Sequence, residues 1–549
     1  MTPFRRRRFS SLSLTALLVA LLLITPIAAV VFSIFGPSMG TWSHLASTVL
    51  PGYIVNTLWL LAGVAAGVVL LGVGAAWLVS MCRFPGAGVF EWLLVLPLAM
   101  PAYVIAYAYT DLLQFAGPVQ TALREATGWR VREYWFPEIR SLGGAIAMFS
   151  LVLYPYVYLL ARAAFLEMSA SAFEAGRTLG HGAWRGFFRL ALPLARPGIA
   201  AGAALALMET LADFGTVSYF AVQTFTTGIY RAWLSLGDPV AAAQLATLML
   251  VFVAAILVIE RANRGGSRFY NPGRRSRVSP YRLTGAKAWI AVCACAVPVL
   301  FGFVLPAWIL GRMAFSEGDA HFFSSRMLGL IANSFTLASI TAVAAIFLAV
   351  IMAYAARIDR GILVGAAHRI AGLGYAIPGA VIAVGILVPV ARLDNLINEW
   401  MTGAFGKGPG LLLTGSIVAL VYAYLVRFLA VALQTVEAGL SKVTPSMDDA
   451  ARGMGLSPSG TLFRVHVPII RGSLLTAGLL VFVDVMKELP ATFVMRPFNF
   501  DTLAVQAYNF ASDERLAEAA TASLVIVAVG LLPLFILCRA IAAGGRKER

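Results

Sequence analysis

The sequence contains one polar, basic stretch twice: EAGRTLGHGAWRGFFRLALPLARPGIAAG, from Glu174 to Gly202, and DAARGMGLSPSGTLFRVHVPIIRGSLLTA, from Asp449 to Ala477. The copies align without a gap, 275 positions apart. The identical pairs are Ala175/Ala450, Arg177/Arg452, Gly180/Gly455, Phe188/Phe463, Arg189/Arg464, Pro193/Pro468 and Arg196/Arg471. Two gapless copies indicate an internal duplication, and the rest of the chain is arranged around them.

The chain that carries these copies is mostly apolar. Of its 549 residues, 60% are hydrophobic and only 12% are charged, whereas soluble proteins carry about 25% charged residues. Continuous apolar runs recur along the whole sequence, which predicts an all-α polytopic membrane protein and not a β-barrel. About twelve spans are predicted, at 12–35, 54–81, 91–116, 141–166, 198–222, 240–260, 287–312, 329–355, 366–391, 411–433, 473–495 and 516–540.

The net charge of +16 is explained by membrane topology better than by nucleic-acid binding. If the N-terminus is cytoplasmic, most of the 42 Lys and Arg residues fall on cytoplasmic segments, as the positive-inside rule requires. This orientation places both repeated stretches and both termini in the cytoplasm. We expect the basic segments to contact membrane lipid, and we expect no nucleic-acid partner.

The duplication extends beyond the two stretches. Asn56 matches Asn333 and Pro101 matches Pro378 at an offset of 277, so the halves are parallel repeats. The predicted organisation is a cytoplasmic N-terminus with the first helix at 1–50, a first transmembrane domain at 51–260, a basic linker at 261–287, a leading helix at 288–326, a second transmembrane domain at 327–540 and a cytoplasmic tail at 541–549.

Each copy has the pattern of a helix, a glycine turn and a second short amphipathic segment. An acid is followed by small residues and Arg, then by Gly180 or Gly455, which predicts a glycine stop. The second segment runs to Pro193 or Pro468, where we expect a helix boundary. A compact helix–turn–helix of this kind can insert its apolar face into a groove on a partner protein. The alternative is an interfacial loop whose Arg side chains contact lipid headgroups.

The two copies resemble the EAA loop of ABC importer permeases, in which an acid, two Ala and a downstream Gly precede a hydrophobic-Pro pair. This chain departs from that pattern at two positions. Gly176 stands in place of the second Ala in the first copy, and Asp449 stands in place of Glu in the second copy. The resemblance implies a type I, MetI-like fold and docking of the loops on a nucleotide-binding subunit. By this resemblance the ATPase-coupling residues are Glu174, Ala175, Arg177, Gly180, Pro193, Asp449, Ala450, Arg452, Gly455 and Pro468.

The resemblance also implies the partners and the location. The sequence has no G-x-x-x-x-G-K-[ST] motif, so ATP and Mg are expected on a separate ATPase, present in two copies, and the chain is expected not to be an enzyme. A periplasmic substrate-binding protein is the other expected partner. The expected location is the bacterial inner membrane.

The spans that follow the copies carry matched carboxylates. Glu209 and Asp213 are four residues apart and predict a shared helix face, and Asp484 and Glu488 are their counterparts. Acids near mid-bilayer are costly and usually functional. We expect an acidic substrate pathway, partly neutralised by Lys487, without a fixed metal site but with transient Fe(III) contact. The alternative is that these acids pair with Lys487, Arg231 or Arg496 and only position helices.

The same two regions, ETLADFGTVSYFAVQTFTTGIY and DVMKELPATFVMRPFNFDTLA, look like iron(III) permeases among the fused two-domain importers. Ferric iron is therefore the expected substrate. Thiamine, aminoethylphosphonate or polyamine permeases remain as alternatives within the superfamily. A secondary cation transporter is the alternative from a different class, although it would not need the repeated stretches.

Overall fold

The computed structural model of the protein describes residues 11–36, 40–130, 133–166, 168, 173–174, 178, 182–264, 280–317, 324–359 and 361–546. Eleven described helices are long and apolar enough to cross a membrane, and a bent helix pair brings the number to as many as twelve. The predicted all-α polytopic fold is confirmed.

The helices of the first half begin with a long apolar helix and end with one that leads into the linker. They are α1 Ser11–Phe32, α2 Thr41–Thr48, α3 Leu50–Met81, α4 Ala87–Leu93, α5 Ala102–Leu113, α6 Pro118–Thr127, α7 Leu142–Leu166, α8 Ala183–Gly186, α9 Leu192–Ala212, α10 Gly215–Tyr219, α11 Phe225–Tyr230 and α12 Pro239–Arg264.

The second half continues with α13 Ala286–Val299, α14 Leu305–Arg312, α15 Ser325–Ile358, α16 Ile362–Leu373, α17 Gly379–Phe405, α18 Ile417–Leu440, α19 Pro445–Gly453, α20 Pro458–Thr461, α21 Val467–Met486, α22 Pro490–Met495, α23 Leu503–Ser512 and α24 Leu516–Arg546. The turns of 3-10 helix are Ser33–Phe35, Leu96–Ala99 and Gly374–Ala376, and the π-helical turns are Phe187–Ala191, Arg231–Ser235, Leu300–Val304, Met313–Glu317 and Leu462–His466. Two short strands, β1 Cys82–Arg83 and β2 Tyr281–Arg282, pair in parallel.

One compact unit contains Met1–Met39, Ala232–Thr247 and Ser325–Val505. In this unit α1 packs on α15, α16 and α17, which belong to the other half of the sequence. Gly385 on α17 allows the close approach, because a Cβ there would lie 2.3 Å from the Pro26 carbonyl oxygen. Thr247 on α12 donates a hydrogen bond to the Val30 carbonyl at 2.9 Å. Small residues at helix crossings are typical of membrane interiors.

The other compact unit contains Gly40–Arg231, Leu248–Ser324 and Gln506–Arg549. Its central pair is α3 with α7, joined where Gly67 faces Ser150 and Gly72 faces the backbone at Tyr154. The segment α13–α14 packs on α3, α4, α5 and α7, and Tyr109 donates a hydrogen bond to the Phe301 carbonyl at 2.7 Å. The compact units therefore combine elements from both halves, while the predicted domain boundaries follow chain order and stay a prediction.

Two predicted spans are broken at the matched prolines. The helices Ala87–Ala99 and Ala102–Thr127 meet at 91° around Pro101, and α16 ends before Pro378 while α17 begins after it. Both prolines have extended ψ angles, 143° for Pro101 and 142° for Pro378. The continuous spans predicted over 91–116 and 366–391 are therefore wrong, because proline and the restriction on its preceding residue interrupt each helix.

The predicted helix boundaries at Pro193 and Pro468 are present as the starts of α9 and α21, with the proline in the first turn, but the helical path does not stop there. Continuous helical segments cover Trp184–Ala212 and Pro458–Met486, so each second amphipathic segment continues directly into its span. A π-helical turn lies just before each proline, at Phe187–Ala191 and Leu462–His466. The wider turn accommodates a residue that has no N–H and a bulky ring.

Candidate coupling segments and pathway helices

The second repeated stretch folds as the predicted helix, glycine turn and short helix. Helix α19 ends in a pair of hydrogen bonds, from the Leu456 N–H to the Ala451 carbonyl at 3.1 Å and from the Gly455 N–H to the Arg452 carbonyl at 3.0 Å. This is a Schellman motif, and Gly455 takes the left-handed conformation that it requires, with φ of +77°. The Ser457 side chain then caps α20 by accepting from the Gly460 N–H at 3.2 Å.

The acid and Arg of this stretch lie on the exposed face of α19. Asp449 and Arg452 form an ion pair, with Arg452 Nη2 and Asp449 Oδ1 2.6 Å apart, and each side chain is 70% exposed. Ala450 is exposed beside them and Ala451 is buried below them. Met454 and Phe463 of the same stretch also have exposed side chains. An exposed charged pair together with exposed apolar groups has the composition of a protein-docking surface.

A neighbouring acid, which the sequence analysis did not select, anchors the helix. Asp448 Oδ2 accepts hydrogen bonds from Arg357 Nε at 3.0 Å and Nη2 at 2.8 Å, and His466 Nε2 lies 2.5 Å from Asp448 Oδ1. Burial raises the pKa of Asp448, but the Arg357 and His466 contacts outweigh burial and hold the pKa below the usual carboxyl value. The signal in the sequence is its spacing of three from the buried Ala451, which places Asp448 on the inner side of the helix.

The first repeated stretch is only partly described by the structure. Ala175, Arg177 and Gly180 lie outside the described residues, while the Glu174 side chain is exposed. Its second segment presents Trp184 and Phe188, which are exposed and stack with ring centroids 6.2 Å apart. Phe188 and Phe463 are therefore exposed at matched positions of the two copies.

In the first pathway region, Asp213 does not continue the face of Glu209. Helix α9 ends at Ala212, and Asp213 turns onto α10, where its Oδ1 accepts from the Thr216 N–H at 2.8 Å and from the Val217 N–H at 3.3 Å. The shared helix face predicted for these two acids is wrong, because the helix breaks between their side chains. Asp213 stabilises the start of a short helix by accepting its unpaired N–H groups.

In the second pathway region, Glu488 has the role that Asp213 has in the first. Helix α21 ends at Met486, so the shared face predicted with Asp484 is wrong there too. Glu488 accepts from the Ala491 N–H at 2.8 Å and from the Thr492 N–H at 3.0 Å. Its Oε1 lies 3.4 Å from Nη1 of Arg427, a cation in the predicted span 411–433 that the sequence analysis did not select. Both side chains are buried, with 2% and 8% exposed.

The other two acids remain partly accessible at the ends of their helices. Asp484 Oδ1 lies 2.9 Å from Lys487 Nζ, and this pair is more exposed than the buried one. Glu209 is half-buried on the last turn of α9. The structure thus separates the four predicted pathway acids into two caps, Asp213 and Glu488, and two partly exposed acids, of which Asp484 forms the ion pair with Lys487 that the alternative predicted.

The four predicted pathway acids form no metal-binding cluster in the described part of the chain. Within that part of the chain no three or more His, Cys, Asp and Glu side chains come together in a way that could hold a metal ion. Transient contact of Fe(III) with Glu209, Asp213, Asp484 or Glu488 stays a prediction.

Comparison with known proteins agrees with this architecture. Residues 68–262 match the family described as binding-protein-dependent transport system inner membrane component. The resemblance to ABC importer permeases is confirmed: the matched family and the similar proteins are inner-membrane permeases and not enzymes, and the eleven described apolar helices agree with a multi-pass membrane protein. Permeases of this class work with a separate ATPase and a binding protein.

Individual relatives differ in substrate. The Fe(3+)-transport system permease protein FbpB 2 of Haemophilus influenzae is 26% identical over 494 residues, covering 88% of each chain. The sulfate transport system permease protein CysT of Escherichia coli K12 is 29% identical, covering 48% of this chain and 93% of its own. The molybdenum transport system permease protein ModB of the same strain is 28% identical, covering 34% of this chain and 82% of its own.

Proposed function

We propose that the protein translocates ferric iron across the inner membrane, receiving it from a periplasmic binding protein. The observation that carries this proposal is the similarity to the Fe(3+)-transport permease FbpB 2, which extends over 88% of both chains. The sulfate and molybdenum permeases match over less than half of this chain. Two partly exposed acids, Glu209 and the Lys487-paired Asp484, support a cation, because carboxylate oxygens suit hard metal ions.

Two ATPase subunits drive the transport in this proposal, one on each repeated stretch. The exposed Asp449–Arg452 pair and the exposed Phe463 supply charge and apolar area on the second stretch. Glu174, Trp184 and Phe188 supply them on the first. Both termini lie in the cytoplasm, on the side where the ATPases dock. Because the second segments run without a break into α9 and α21, ATPase movement reaches the pathway helices directly.

The substrate is tested by reconstituting the permease with its ATPase and binding protein in proteoliposomes. We expect ATP-dependent uptake of radiolabelled ferric iron, and no uptake of sulfate, molybdate, thiamine or a polyamine. The double variant Glu209→Gln/Asp484→Asn should lower iron uptake about tenfold or more, since it removes the two partly exposed carboxylates. Uptake of another compound in the panel instead of iron would sink the iron assignment.

The docking surface is tested by copurification of the ATPase. Asp449→Asn combined with Arg452→Gln removes the exposed charged pair and should reduce the amount of bound ATPase about fivefold or more. Ser459→Ala, a nearby exposed change on α20, is the control and should leave the bound amount unchanged. Equal copurification of the charge variant and the control would contradict docking on α19.

A further inference from the structure

The two coupling segments, defined as the repeated stretches around Glu174 and Asp449, are held to the membrane helices by different chemistry. In the second segment the anchoring residue is Asp448. The matched residue in the first segment, 275 positions earlier, is Phe173, which is buried. The duplication therefore preserved the segment but not the way in which it is held.

The anchor of the second segment is centred on one guanidinium group. Besides its two hydrogen bonds to Asp448, Arg357 donates from Nη1 to the Leu440 carbonyl at 3.0 Å and from Nη2 to the Val443 carbonyl at 2.8 Å. Arg357 is on the last turn of α15, Leu440 ends α18, and Asp448 is in α19. One cation thus joins two membrane helices to the coupling segment through charge-assisted bonds.

A second contact fixes the other side of the same carboxylate. His466 is fully buried and reaches Asp448 from the π-helical turn that precedes α21. Tyr354 packs its ring against His466 at 5.2 Å between centroids and donates its hydroxyl to the Pro458 carbonyl at 2.7 Å. We call Arg357, Asp448 and His466 the charged joint, with Tyr354 at its border.

The first segment has an aromatic anchor in the same place. Trp77, which matches Tyr354 in the repeat, is surrounded by four rings with centroid distances of 5.7 Å to Phe165, 6.4 Å to Phe173, 5.0 Å to Phe187 and 6.2 Å to Tyr281. Ser80 and Ala191 stand at the positions of Arg357 and His466, so the charged joint has no equivalent there. Among the described residues of this segment, the ring contacts with Trp77 act through dispersion and burial, which depend less on direction than hydrogen bonds do.

We propose that the charged joint transmits ATPase movement from the second coupling segment to α15, and that the described residues of the first segment transmit it through aromatic packing around Trp77. Arg357, Asp448 and His466 are positioning residues in this scheme. The inference rests on the proposed docking of an ATPase on each segment. It makes the two docking positions unequal, because the second depends on a directional joint that is lost when one partner is removed, whereas the described residues of the first rely on ring packing.

The test uses the reconstituted complex with its ATPase and binding protein. Asp448→Asn keeps the side-chain shape and removes the charge. We expect normal ATPase copurification, a retained basal ATPase rate and an unchanged KM for the loaded binding protein. Substrate transported per ATP should fall about tenfold, because a charge-assisted joint is replaced by neutral bonds. Arg357→Lys should give an intermediate fall, since Lys keeps the charge but not the forked geometry.

Variants of Asp449, which is adjacent to Asp448, distinguish this inference from the docking proposal. If Asp449→Asn/Arg452→Gln leaves ATPase binding intact, docking on α19 fails and the joint fails with it. If those changes reduce binding while Asp448→Asn keeps normal transport per ATP, docking stands and the joint is refuted. Loss of folding in both Asp448→Asn and Arg357→Lys also refutes it, because the cluster would then be required by the whole unit.

A variant of Phe173, the residue that matches Asp448 in the first copy, tests whether the two segments are coupled differently. Phe173→Leu should lower thermal stability by a loss of packing and leave transport per ATP within about twofold of the parent. An uncoupling by Phe173→Leu as large as that by Asp448→Asn would overturn the inequality.

Discussion

At the scale of single residues, adjacent or matched acids have different roles because their surroundings differ. Asp449 is exposed on α19, whereas its neighbour Asp448 is tied to Arg357 and His466. Asp484 pairs with Lys487 in a partly exposed site, whereas Glu488 is buried against Arg427. The residue type alone predicted charge at these places, but burial and partners decide whether that charge is available to a substrate or partner.

Removal of the buried cation should be costly to stability. Arg427→Met leaves Glu488 buried with its N–H donors but without its ion partner. We expect the free energy of unfolding, measured by titration with a denaturing detergent in mixed micelles, to fall by about 3–5 kcal/mol. Lys487→Met, which removes a more exposed partner, is the matched control and should cost less than the Arg427 change. Equal losses in the two variants would argue against a buried structural pair.

At the scale of elements, the Schellman turn at the end of α19 sets the direction of the coupling segment. The turn needs a left-handed residue, and the pattern of acid, small residues, Arg and Gly predicted it correctly for Gly455. The prolines were predicted less well. Whether a proline ends a helix depends on the local hydrogen-bond register, and the π-helical turns before Pro193 and Pro468 give no simple periodic signal in sequence.

The chain offers a matched pair of glycines to test this element. Gly455→Ala forces an L side chain into φ of +77° and should destabilise the turn by about 1–2 kcal/mol. Gly453→Ala lies in the helix with no heavy atom within 4 Å of the added Cβ, and should be neutral or stabilising. The measurement is ATPase copurification together with thermal stability. Reduced binding with Gly453→Ala but not with Gly455→Ala would contradict this account of the turn.

At the scale of the whole molecule, each compact unit is assembled from distant parts of the sequence. Helix α1 packs on α15, α16 and α17, and Tyr422 of α18 donates a hydrogen bond to the Leu22 carbonyl of α1. Ser13 at the start of α1 donates to Asp359 just beyond α15 at 3.0 Å. The leading helix of the first half therefore contributes to the stability of the unit that contains most of the second half.

Coexpression of two fragments tests this arrangement. A fragment of residues 1–272 and a fragment of residues 273–549 should copurify from detergent, because each compact unit contains elements of both. Deletion of residues 1–36 from the first fragment should lower the thermal stability of the second fragment in the complex, since α15, α16 and α17 lose the helix packed on them. An unchanged stability of the second fragment would contradict the role of α1.

The sequence by itself determined the class of fold, the duplication and the position of the coupling segments. These follow from hydropathy, from charge and from a repeated pattern, which are local properties of the chain. Only the tertiary structure decided which acids are buried, that Phe173 and Asp448 anchor matched segments differently, and that α1 packs with the other half. Those outcomes depend on contacts between residues hundreds of positions apart, such as Ser13 with Asp359, and periodicity along the chain carries no information about such contacts.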